Sequence, residues 1–209
     1  MADQRAASAE GDRSKRLRLF VACELPDDVR RALGGLQDDL RQLIPVRLRW
    51  VRPESVHVTL KFLGEVEETR VDAITSALAT AVEPFELRLR LAKLGGFGGA
   101  RLRVVWVGLD GDVAPLASLA GRVEGALTPL GFPPERRPFA AHLTLARVPD
   151  QASPEERREL ANLIERHRFE PLPSMILTEV HLVRSVLRPG GSVYSRIASY
   201  PQGSRDDTA

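Results

Sequence analysis

One four-residue pattern is written twice in this chain, as His57-Val58-Thr59-Leu60 and as His142-Leu143-Thr144-Leu145, 85 residues apart. Only four histidines occur in 209 residues, so half of them share one local setting. Each copy lies in an apolar run, Val56 to Phe62 and Phe139 to Leu145, that reads as a β-strand. Residues i and i+2 of a strand share a face, so each imidazole stands beside its threonine hydroxyl while the flanking Val and Leu turn into a core. Repeating such a strand asks for two similar sheets, each with an apolar and a polar face.

The elements around the motifs repeat in the same order. Leu17 to Cys23 alternates as a strand, and Pro26 opens a helix to about Leu43 with Asp27 and Asp28 in the first turn, where they suit the helix dipole. Strands are expected over Val46 to Val51 and Ser55 to Phe62, parted by Pro53, with Gly64 closing the first motif. A helix follows from about Glu67 to Ala81, carrying Val71, Ile74, Leu78 and Val82 at helical spacing. Phe85 to Leu91 and Leu102 to Leu109 read as strands around the turn Gly95-Gly96-Phe97-Gly98-Gly99. This turn has no following helix and no Lys-Ser/Thr, so it is not a phosphate loop. Asp112 to Leu130 is a third helix, the second motif strand comes after Gly131, and residues 154 to 167 form a fourth helix. Met175 to Leu187 and Ser192 to Ser199 then read as a hairpin around Pro189-Gly190-Gly191. Strand, helix, motif strand, helix thus occurs twice, predicting an α+β fold of two pseudo-twofold lobes. Two antiparallel sheets would face a central groove with helices outside, and His57 and His142 would meet at its floor.

Composition bounds the rest. With 43% hydrophobic and 28% charged residues the chain is ordinary for a globular protein. Residues 1 to 16 and 201 to 209 are polar and aperiodic and are expected to be disordered tails around one domain, 17 to 200. No apolar run of membrane-spanning length or signal-like core is found, so a cytoplasmic protein without membrane partners is expected. Cys23, the single cysteine, excludes an internal disulfide and a cysteine-based zinc cluster, and reads as a buried strand residue. Of 30 basic residues 27 are arginine, which suits bidentate phosphate contacts but also fits a compositional bias. A pI near 9.0 permits a nucleic-acid ligand without requiring one.

Two imidazoles, each with a hydroxyl at hand, supply what in-line attack at a phosphodiester requires: a base, an acid and hydrogen-bond donors for the anionic oxygens. The other two histidines, His167 and His181, lack the threonine and read as structural or exposed. Phe97 and Phe139 are the best candidates for stacking a nucleobase, core packing being the alternative for Phe139, and Tyr194, after the last hairpin turn, could face the groove. Phe62 and Trp106 are assigned to the core.

These residues resemble a known family. The paired motifs, with Arg18-Leu19-Phe20-Val21-Ala22, Trp50-Val51-Arg52-Pro53-Glu54, the block His57 to Gly64 and Arg137-Pro138-Phe139 before His142 to Arg147, look like the two-histidine phosphoesterase superfamily. The branch is the RNA 2′,3′-cyclic phosphodiesterases, or LigT-like 2′-5′ RNA ligases. The resemblance spans about residues 17 to 199 and departs at Ala141, where the family usually has proline. It implies a bilobal fold with a central cleft and conversion of an RNA 2′,3′-cyclic phosphate end, or a related nucleotide, to a 2′-phosphate. It further implies no metal or other cofactor, and a reversible, ATP-independent 2′-5′ ligation in some members. By the same resemblance His57 is the proton donor, His142 the proton acceptor, and Thr59, Thr144 and Arg147 hold the phosphate. A monomer would contain both histidines. The alternatives are a non-catalytic RNA-binding module using the same cleft, and a zinc hydrolase, for which further ligands at close spacing are missing.

Overall fold

The computed structural model describes residues 15 to 169, 171 to 188 and 191 to 201. The chain runs β1 (Arg16–Glu24), α1 (Asp27–Leu43), β2 (Arg49–Trp50), β3 (His57–Glu67), α2 (Val71–Ala81), β4 (Leu87–Phe97), β5 (Val104–Gly111), α3 (Val113–Leu127), β6 (His142–Arg147), α4 (Pro154–Arg166), β7 (Met175–Leu177), β8 (Val180–Arg188) and β9 (Gly191–Tyr200). The mixed α+β class and the repeated order β1-α1-β3-α2 and β5-α3-β6-α4 agree with expectation. The expected tails lie outside the described residues, save Lys15, Arg16 and Pro201, and Arg16 already belongs to β1.

All strand pairs are antiparallel, in the order β7-β4-β5-β6-β3-β1-β8-β9, with β2 beside β6. One lobe is β3-β1-β8-β9, the other β7-β4-β5-β6. The two sheets expected from the sequence are joined edge to edge by a single residue pair, Val58 with Leu143, each the residue after a motif histidine. The pseudo-twofold axis therefore passes between the two motifs. One sheet face packs against the helices, which bury Leu33 and Leu40 of α1, Ile74 and Leu78 of α2, Leu116 and Leu127 of α3, and Leu160 of α4. A capping box between Ser153 and Glu156 starts α4. The other face carries a small cluster of Phe20, Ala22 and Val183, with Tyr194 against it, and lines the cleft. Among the described residues no helix is long and apolar enough to cross a membrane.

Four sequence expectations change. The strand over 46 to 51 shrinks to Arg49–Trp50, because only these two residues find a ladder partner, on β6; Val46 and Leu48 are buried without one. The run 175 to 187 breaks at 178 to 179 into β7, which pairs with β4, and β8, which pairs with β1 and β9, so a single apolar run serves both lobes. Gly95, Gly96 and Phe97 belong to β4 rather than to a turn, and the turn is Gly98 to Arg101. Strand β3 runs on through Gly64 to Glu67, and a short 3-10 turn, Glu68–Arg70, precedes α2.

Candidate functional site

His57 and His142 each open a motif strand, and the same hydrogen bond fixes each ring. Nδ1 of His57 is 2.9 Å from the Ser55 carbonyl, and Nδ1 of His142 is 2.7 Å from the Ala140 carbonyl, two residues earlier in both cases. A carbonyl can only accept, so Nδ1 carries the proton and Nε2 presents its lone pair when the ring is neutral. The Val58–Leu143 register sets His57 across from Thr144 and Thr59 across from His142. Each imidazole thus has a hydroxyl of its own strand two residues on and one of the other lobe beside it. The intervening Val58 and Leu143 are fully buried on the opposite face.

Matching bulges shape both motif strands. Phe20 pairs with Phe62, Val21 with Lys61 and Ala22 with Thr59, which leaves Leu60 as an extra residue; Trp106 pairs with Thr144 and Val105 with Ala146, which leaves Leu145 extra. The fourth residue of each tetrapeptide is therefore the bulge. Beyond Leu60 the alternation reverses, turning Lys61 inward to Glu124 (Nζ to Oε1, 3.1 Å) and the Pro133 carbonyl (2.9 Å). Phe62 is turned out to the cleft, 60% exposed, and its assignment to the core is corrected by this bulge. At Leu145 the buried Gln37 of α1 donates to the bulge carbonyl (3.1 Å) and to the Val51 carbonyl (2.8 Å).

The cleft has a volume of about 470 Å³ and contains His57, Thr59, His142, Thr144 and Arg147 together. Arg18, Arg49 and Arg52, which the sequence reading did not single out, line it with Arg147, and among the described residues no Asp or Glu does. Arg49 and Arg147 are direct cross-strand partners with no carboxylate within ion-pair distance among the described residues. Like charges in that position repel unless an anion bridges them. The signal for Arg49 and Arg52 was their place on either side of Trp50-Val51, just ahead of the first motif.

Aromatic rings enclose both imidazoles. Phe20 stacks on His57 at 4.6 Å between centroids and Tyr194 meets it edge-on at 5.3 Å; Tyr194 lines the cleft as expected. Phe97 stands edge-on to His142 at 4.8 Å but is not among the residues that line the cleft. Phe139 packs half-buried against the main core, the alternative read from the sequence. Trp106 is corrected from core to the cleft side of β5, half-buried 6.2 Å from His142, because Val105 and Val107 take the core face. The apolar run Val104 to Val107 could not reveal which parity faces inward. Away from the cleft, His181 is buried with Nδ1 3.0 Å from Ser199 Oγ, and Cys23 is fully buried with its thiol pushed up to about 12.

Burial pushes His57 below the ordinary imidazole value; the Ser55 carbonyl and the Glu24 carboxylate oppose this and His142 adds to it. His142 is lowered by burial too, against the Ala140 carbonyl. The cleft thus pairs two ring nitrogens able to exchange protons with hydroxyls and guanidinium groups that suit an anion. Among the described residues no group of three or more His, Cys, Asp or Glu side chains is gathered as metal ligands would be.

The chain is similar to known proteins in sequence and fold. The family model described as LigT like Phosphoesterase matches twice, over residues 24–106 and 107–194, dividing the chain between its two repeats. An RNA 2′,3′-cyclic phosphodiesterase of Methanothermobacter thermautotrophicus is 34% identical over 184 residues, 86% of this chain and 96% of that protein. One from Archaeoglobus fulgidus is 32% identical, over 85% of this chain and 96% of its own length. Among solved structures, E. coli LigT complexed with 3′-AMP superposes with a TM-score of 0.70 at 25% identity, over 89% of this chain and 98% of that one. The family match over both halves, together with relatives above 30% identity along nearly their whole length, places this chain in the LigT-like phosphoesterase family.

Proposed function

We propose that this chain is an RNA 2′,3′-cyclic phosphodiesterase that opens a cyclic phosphate end to a 2′-phosphate by acid-base catalysis between His57 and His142. The observation that carries the reading is the matched pair of Nδ1-to-carbonyl bonds, which leaves both Nε2 atoms free beside two threonines. Names borne by the relatives in Methanothermobacter and Archaeoglobus support the substrate class.

In the proposed step, Nε2 of neutral His142 takes a proton from water as its oxygen attacks phosphorus. The bond from phosphorus to the 3′ oxygen breaks, and protonated His57 gives that oxygen its proton. The products are a 3′ hydroxyl and a 2′-phosphate, with the proton now on His142. Thr59 and Thr144 donate to the non-bridging oxygens, whose charge grows in the transition state, and Arg147 neutralises the same group. With an RNA 5′-hydroxyl end in place of water, the same step would make a 2′-5′ linkage from a cyclic phosphate with the same proton roles, and cleavage of that linkage back to the cyclic phosphate would exchange them. No ATP enters either direction.

The test is incubation of the protein, in EDTA and without ATP, with an oligoribonucleotide ending in a 2′,3′-cyclic phosphate, read by phosphorus NMR. A 2′-phosphate is expected. A 3′-phosphate would reverse the leaving oxygen and the proton roles, and an unchanged substrate that still binds would favour an RNA-binding module.

A further inference from the structure

The two lobes repeat the motif strands but not what stands across from the histidines. The cross-strand partner of His57 is Glu24; that of His142 is Gly108. Directly opposed residues share a sheet face with Cα atoms about 4.5–5.5 Å apart, so a carboxylate-bearing residue stands across from one imidazole and a residue without a side chain across from the other. The difference is built in, because a Cβ at Gly108 would come within 3.2 Å of the Trp106 ring, which fills that space.

Glu24 is also held in place. Its Oε2 accepts from Arg196 of β9 at 2.8 Å and from Arg30 of α1 at 3.3 Å. Burial pushes the Glu24 carboxyl up, but Arg196, His181 and Arg30 together bring it below the ordinary carboxylate value, so it is ionised. The charged and titratable groups bearing on His57 are then Glu24 from β1, His142 from β6, Tyr194 and Arg196 from β9, and Arg30 behind Glu24. The cleft arginines Arg18, Arg49, Arg52 and Arg147 line the cavity that holds both imidazoles. Of all these groups Glu24 alone favours a proton on His57, and its counterpart is missing at His142.

We infer that Glu24 is a positioning residue that breaks the symmetry of the two motifs: clamped by Arg30 and Arg196 across the strand pair from His57, it makes His57 the proton donor and leaves His142 the acceptor. This rests on the phosphodiesterase reading and supplies what the twofold pattern alone could not, a physical reason for the direction of proton flow.

Two readouts on the full-length protein test it. In a proton–carbon NMR titration of the ring resonances, Glu24→Gln, which keeps the shape and an acceptor for the arginines, should lower the midpoint of His57 more than that of His142. Glu24→Asp, which keeps the charge, should restore much of the difference. In the pH profile of kcat/KM on the cyclic-phosphate oligonucleotide, the basic limb of Glu24→Gln should move to lower pH, and the rate above it should fall roughly tenfold for every pH unit the limb moves. An unmoved His57 midpoint would overturn the electrostatic role, and a displaced acidic limb instead would make His57 the base. An inactive wild type would count against the phosphodiesterase reading alone, since the titration needs no turnover.

Discussion

His57 shows how a single side chain links stability to function. Its ring is boxed by Phe20 and Tyr194, and burial favours the neutral form over the charged one. In the unfolded chain the imidazole titrates near ~6.5. Because the folded value is depressed, the unfolded state binds more protons below that pH, so stability rises with pH there. The contribution is complete above ~6.5 and is lost as pH falls through the folded value. Replacing His57 with Gln removes that contribution, so the unfolding free-energy gap between wild type and variant should shift in the variant's favour from about pH 8 to about pH 5. Urea denaturation at several pH values measures this, and a gap independent of pH would contradict it. At this scale the sequence was most legible: two tetrapeptides identified four side chains that the fold gathers in one cleft. Glu24 and Gly108 were not, since no local pattern says which residue a strand will face.

Elements were legible where a period was unbroken and obscure where tertiary pairing intervened. The four helices fall within a few residues of expectation because each carries an apolar stripe. Bulges at Leu60 and Leu145 follow from pairing with β1 and β5, so Phe62 read as core by simple alternation. The split between β7 and β8 was equally hidden, because the apolar run Met175 to Leu187 does not tell which lobe each half will join. The Leu145 bulge makes a prediction of its own. Gln37 is fully buried, and its amide holds the Leu145 and Val51 carbonyls together. Gln37→Leu removes the donor and leaves the partly buried Val51 carbonyl without it, which should destabilise the fold by about 1–3 kcal/mol. Activity should fall beyond the loss of folded protein, because Thr144 and Arg147 flank the bulge. Thermal unfolding and kcat/KM on the same samples test both parts, and an unchanged melting temperature would count against the role.

Over the whole molecule a net charge of only +2 conceals a concentrated field. Among the described residues four arginines and no carboxylate line the cleft, and Arg49 and Arg147 oppose each other without a counter-ion. Composition could not locate this field, since 27 arginines spread along the chain suit phosphate contacts and fit a compositional bias alike until folding collects four of them. Binding of a single-stranded oligoribonucleotide should weaken with salt, with a slope of log affinity against log salt of about −2 to −3 if three or four phosphate contacts form at about −0.7 each. Arg49→Ala should reduce that slope by about one contact. A slope near zero would mean that the arginines do not meet the RNA backbone.

Joining the lobes through Val58 and Leu143 brings one histidine from each repeat into the same cleft, and the proposed chemistry needs both. The most direct test compares hydrolysis of the cyclic-phosphate oligonucleotide, in chelator, by wild type, His57→Ala, His142→Ala and the double variant, with folding checked by circular dichroism. Each single change should cost about 10²–10⁴-fold in kcat, and the double variant should be little slower than either, because the pair acts as a unit. A folded single variant that keeps the wild-type rate would contradict the two-histidine mechanism.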